Sequence, residues 1–152
     1  MRVKKKAFLF FLFVAISVVA ASSAVYLYFF LPKTLSSTET AERLASIYSR
    51  TNGILSLMSD DVKYLYNGTI GITTFTNRMQ TKRNDMAALR TELLELKNVA
   101  HPSYEFSINF LDMGLKAYVK ALDYAYNLNF NLTAEYLQRG TRYIDLSRDA
   151  QP

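Results

Sequence analysis

The chain has 152 residues, with 18 Lys and Arg against 13 Asp and Glu and no Cys. That leaves room for one domain and one appendage, and it excludes disulfides, thiolate metal sites and cysteine nucleophiles. The net charge of +5 is an N-terminal feature, because from Lys33 onward the count is 14 basic to 13 acidic residues; a nucleic-acid partner, which needs a basic face to displace counterions, is not expected.

Residues 1–6 form a basic n-region containing Arg2, Lys4, Lys5 and Lys6. Residues 7–31, AFLFFLFVAISVVAASSAVYLYFFL, run 25 positions without a charge, Pro, Gly, Asn or Gln. As a helix this block reaches about 37 Å, enough to cross a hydrocarbon core of about 30 Å with some tilt. Basic residues stay on the cytoplasmic side, so Arg2, Lys4, Lys5 and Lys6 set the topology. The expectation is a single-pass signal-anchor helix in the cell membrane, with the N-terminus cytoplasmic and the C-terminal domain extracytoplasmic. Tyr26, Tyr28, Phe29 and Phe30 would lie in the outer aromatic belt. The alternative is a signal peptide cleaved after Ala24, with Ser22-Ser23-Ala24 as the small-residue site; the apolar VYLYFFL that follows argues for retention. Small residues at Ser17/Ala21 and Ala20/Ala24 would allow two such helices to pair closely.

A joint over 32–37 leads into a domain of four helices, expected over 38–66, 72–98, 102–127 and 131–149. Ser36 and Glu39 have capping-box spacing. The first apolar stripe is Leu44, Ile47, Tyr48, Ile54, Leu55, Met58, Val62 and Leu65, interrupted by nothing worse than Gly53. Asn67-Gly68 and Gly71 break it. A hairpin through VKYLYNGTIGITTFT competes here, but the helical period extends too far on both sides. The second stripe is Ile72, Phe75, Met79, Met86, Leu89, Leu93 and Leu96. His101-Pro102 opens the third helix, whose stripe Tyr104, Ile108, Leu111, Leu115, Tyr118, Leu122 and Ala125 is the most regular, with Gly114, Ala117 and Ala121 beside it for close helix approach. A loop, Asn127 to Asn131, precedes the fourth helix, with Leu132, Tyr136, Leu137, Gly140, Tyr143, Ile144 and Ser147 inward. No internal repeat or low-complexity tract stands out. The fold class expected is all-α, one N-terminal transmembrane helix followed by an antiparallel up-down four-helix bundle.

Chemistry-bearing patterns are sparse. His101 has no ligand-spaced partner, Glu92 and Glu95 read as a solvated face, and Asp60-Asp61 reads as exposed. No Glu-x-x-His pair, phosphate loop or nucleophile elbow occurs, so neither a cofactor nor an enzyme activity is expected. Asn67 and Asn131 head two Asn-x-Thr sequons, placed in loops at the end of the bundle away from the membrane, and are candidate N-glycosylation sites. Arg78, Lys82 and Arg83, in the polar middle of the second helix, and Tyr124 and Tyr126, which cannot both share the face of Tyr118, are candidates for a partner surface. The expected function is a non-enzymatic interaction protein of the cell envelope, with a protein partner or self-association. The alternative is a small-ligand-binding, sensor-like ectodomain that signals through a separate partner.

Overall fold

The computed structural model describes residues 34–152. The basic run Arg2, Lys4, Lys5 and Lys6 and the apolar block 7–31, with the membrane-span and cleavage expectations they carry, lie outside the described residues. The described chain forms α1 (Ser37–Tyr66), α2 (Ile72–Lys97), a 3-10 turn (Pro102–Tyr104), α3 (Glu105–Tyr126) and α4 (Phe130–Asp149). No strand occurs among the described residues, so the hairpin is excluded. Nor is any helix there long and apolar enough to cross a membrane.

The capping residues set the boundaries. Ser36 Oγ accepts from Glu39 N at 3.2 Å, and the Glu39 carboxylate accepts from Ser36 N at 2.9 Å, which completes the capping box. α1 ends in a Schellman motif. Gly68, at φ 70°, turns the chain while its N–H donates to Leu65 O and Thr69 N–H donates to Tyr64 O, the paired bonds that satisfy last-turn carbonyls. α3 ends the same way, with Leu128 at φ 58° and bonds from Leu128 to Ala125 and from Asn129 to Tyr124. Asn129 then caps α4, its side chain accepting from Leu132 N at 3.2 Å. α4 therefore starts at Phe130, and Asn131 lies in its first turn rather than in the loop expected from sequence. The third segment also begins differently. Pro102–Tyr104 is a 3-10 turn capped by the His101 side chain, and the α-helix starts only at Glu105.

Successive helices run antiparallel. At one end Leu35 N donates to Val99 O at 2.6 Å and His101 N donates to Thr40 Oγ1 at 3.0 Å, which brings together the start of α1, the end of α2 and the start of α3. At the other, the Phe75 and Phe130 rings meet with centroids 6.0 Å apart. The core between them is Leu44, Ile47, Phe75, Met79, Met86, Leu89, Leu93, Ile108, Leu111, Leu115 and Leu122, all fully enclosed. Of the expected stripes Ile72 faces outward, at 59% exposure, and Leu132, Tyr136 and Tyr143 of α4 are half-buried outside the core. α3 and α4 pack most tightly. Gly140 lies directly under the Tyr118 ring and Gly114 against Ile144, so small residues on both helices let the backbones approach.

The α1–α4 seam is different. It closes near the chain entry, where Ser147 Oγ donates to Ser107 O at 2.5 Å and sits 2.5 Å from the Tyr48 hydroxyl. Since the Ser147 hydrogen goes to the carbonyl, Tyr48 is the donor to Ser147. Beyond that polar knot α1 and α4 lack the close backbone approach of the other three seams.

Candidate functional site

Of the basic residues singled out in α2, Lys82 is turned into the fold, while Arg78 and Arg83 reach their ion-pair partners from the surface. Lys82 Nζ lies 2.5 Å from Asp61 Oδ2 and Arg78 Nη1 lies 2.7 Å from Asp61 Oδ1. Asp61 is 4% exposed, which corrects the expectation that the Asp60-Asp61 pair is solvated. Burial pushes its carboxyl up, but hydrogen bonds and charge from Lys82 and Arg78 outweigh that and hold it below the ordinary aspartate range. Arg83 pairs instead with Asp123 of α3. The polar middle of α2 thus ties it to α1 on one side and α3 on the other.

Tyr124 and Tyr126 part company. The Tyr124 ring lies 5.3 Å from that of Tyr136. Lys120 and Arg139 stand over the Tyr136 ring at 5.4 and 4.8 Å, within cation–π range. Tyr126 is exposed. Asn67 is an exposed helix cap, whereas Thr133 of the second sequon is buried, its hydroxyl donating to Asn129 O at 2.8 Å. His101 Nδ1 is engaged locally, 2.7 Å from Ser103 Oγ.

Tyr126, Asn67 and Asn131, which the sequence singled out, lie at the end of the bundle opposite the chain entry; what sequence reading missed is how apolar that end is. Six of the eleven large hydrophobic side chains exposed among the described residues are there: Tyr64, Tyr66, Ile72, Tyr126, Leu128 and Phe130. Tyr66 stands 91% exposed. The signal was present in two forms. Residues 64–67 and 124–127 repeat Tyr-x-Tyr-Asn, and both stretches end in the same Schellman turn. In addition, Tyr64 to Asn77 and Tyr124 to Ala134 contain no charged residue. Exposed apolar patches of this kind mark contact sites.

From Phe130 the apolar surface continues into the open part of the α1–α4 seam. Here a groove of about 430 Å³ is lined by Leu55, Met58 and Val62 of α1, by Phe130, Ala134 and Leu137 of α4, and by Tyr118. Ser59, Thr133 and Thr141 are its polar members, and no charged residue lines it. The Tyr118 hydroxyl lies 3.2 Å from Thr141 Oγ1, and since the Thr141 hydrogen goes to Leu137 O, Tyr118 is the donor; burial raises its pKa. Its size falls in the range of small-molecule pockets. Among the described residues no group of three His, Cys, Asp or Glu is placed to hold a metal ion. Compared with protein-family models, curated proteins and solved structures, the chain matches none.

Proposed function

We propose that this protein is a membrane-anchored, extracytoplasmic module that acts by contact rather than catalysis, with the chain-distal end of its bundle as the contact surface. The observation that carries the reading is the gathering of exposed apolar side chains on two charge-free turns at that end. Solvent-exposed aromatics so concentrated cost solubility, and apart from Phe130, whose ring meets Phe75, they lie outside the core. The anchor and its orientation rest on the apolar run 7–31 and on the basic excess at Arg2, Lys4, Lys5 and Lys6. Glycans at Asn67 or Asn131 would cover the same surface, so use of either sequon and apolar contact there are alternatives.

The test combines topology with contact in intact cells. Added protease is expected to remove the bundle without cell lysis, and a photo-crosslinking residue at Ile72 is expected to give adducts that the same residue at Asn52 does not. Protection from protease would overturn the topology, and equal labelling at the two positions would overturn the contact surface. The second reading, a small-ligand-binding bundle, is favoured by the uncharged α1–α4 groove. It expects an uncharged apolar ligand to raise the melting temperature and Ala134→Phe, which fills the groove, to abolish that rise. Absence of any such stabiliser in a broad screen would count against it.

A further inference from the structure

We propose that the cleft on the outer face of the α3–α4 seam is a recognition site for a phosphate monoester. It is separate from the distal end and does not rest on the contact reading. Lys116 and Lys120 of α3 and Arg139 of α4 line it, together with Met113, Tyr136 and Tyr143. Three cations thus share one cleft on a unit whose charges otherwise balance, thirteen basic residues against thirteen acidic over 34–152.

The fold withholds the counter-charges that the sequence supplies. Asp112 stands four residues before Lys116, and Asp123 three after Lys120, spacings at which a helix pairs opposite charges. Both carboxylates turn to α2 instead, Asp112 to Arg90 at 2.6 Å and Asp123 to Arg83. Neither lysine enters an ion pair among the described residues. Arg139 meets one carboxylate, that of Glu135 at 3.2 Å. Three cations against this one carboxylate leave two positive charges uncompensated. Lys120 and Arg139 are held over the Tyr136 ring at 5.4 and 4.8 Å. A ring quadrupole positions a cation without neutralising it, so the charges are gathered and remain available to an anion.

Charge and size together name the ligand. A phosphate monoester carries about −1.5 to −2 at neutral pH, which matches the two uncompensated charges. A carboxylate or a phosphodiester carries a single charge and leaves the cleft cationic. Lysine and arginine N–H groups are also the donors that phosphate oxygens take in short, charge-assisted hydrogen bonds. The cleft holds about 200 Å³, less than the roughly 300 Å³ at which pockets begin to enclose a whole small molecule. It therefore takes the phosphoryl head, and the rest of the ligand stays outside. A free monoester and a monoester lipid headgroup present the same head.

The experiment is calorimetric titration of the full chain in uncharged detergent, near neutral pH and at fixed ionic strength. Phenyl phosphate is the soluble probe, and short-chain phosphatidic acid below its micellar concentration is the lipid probe. Saturable binding at one per chain is expected, and the tighter of the two probes identifies the source. The double variant Lys116→Gln, Lys120→Gln, both exposed side chains, is expected to weaken binding about tenfold or more with an unchanged melting temperature. Lys97→Gln, an exposed lysine outside the cleft, is expected to leave it intact. Dimethyl phosphate, a monoanionic diester, is expected to bind at least about tenfold more weakly, and phenyl phosphate to weaken as pH falls through its second pKa near 6. No saturable binding, binding that the double variant leaves unchanged, or equal affinity for the diester would overturn the proposal. An equal loss in Lys97→Gln would also overturn it, because it would mark a general attraction to the surface rather than a site.

Discussion

Gly53 and Gly140 are both mid-helix glycines, and the same substitution acts on them in opposite directions. A Cβ at Gly53 meets nothing within 4 Å. Gly53→Ala therefore removes only a helix-propensity penalty, and it is expected to stabilise by about 0.5–1 kcal/mol. A Cβ at Gly140 would overlap the edge of the Tyr118 ring, and that ring is held by α3 on one side and by the Thr141 hydroxyl. Gly140→Ala is expected to destabilise by about 1–3 kcal/mol. Denaturant titration of the two variants checks both signs, and stabilisation by Gly140→Ala would contradict the α3–α4 packing. In sequence the two glycines looked alike, one a blemish and one a small inward position. The difference lies in Tyr118, more than twenty residues away from Gly140 along the chain.

At the level of elements, α2 explains its own weak stripe. Between Met79 and Met86 the inward position belongs to Lys82, whose side chain is 12% exposed and points at Asp61. The apolar pattern thins there because a buried ion pair, not a hydrophobic contact, fastens α2 to α1. Asp61→Ala leaves Lys82 buried without its counter-charge and is expected to cost about 3 kcal/mol. The pH dependence follows from the lowered Asp61 pKa. The stabilisation is complete above the unfolded aspartate value near 3.9 and is lost as pH falls through the lower folded value. Thermal melts between pH 5 and pH 2 are expected to show that loss in the wild type and to lack this component in Asp61→Asn. An equal decline in both would remove Asp61 from the account. Sequence placed Asp61 beside Asp60 and read a solvated pair. The two cations that neutralise it come from another helix, and no local pattern announces them.

For the whole described unit, residues 34–152 hold thirteen basic and thirteen acidic residues, an enclosed core, and no buried side-chain polar atom without a partner. Such a unit meets the conditions for independent folding. Residues 34–152 expressed alone are expected to give a helical circular-dichroism spectrum and one cooperative melt; a gradual, non-cooperative loss of helix would show that the bundle depends on the preceding segment. The helix count, the α1 cap at Ser36, the turn at Gly68 and most inward residues could be read from the chain. These depend on local caps and on a 3.6-residue period, which are written in neighbouring residues. The α1–α4 groove, the inward ion pair at Asp61 and the meeting of the two charge-free turns at one exposed end could not. Each depends on which seams close and which loops meet, and that is decided by contacts between side chains 17 to 103 residues apart, from Arg78 on Asp61 to Gln151 on Tyr48.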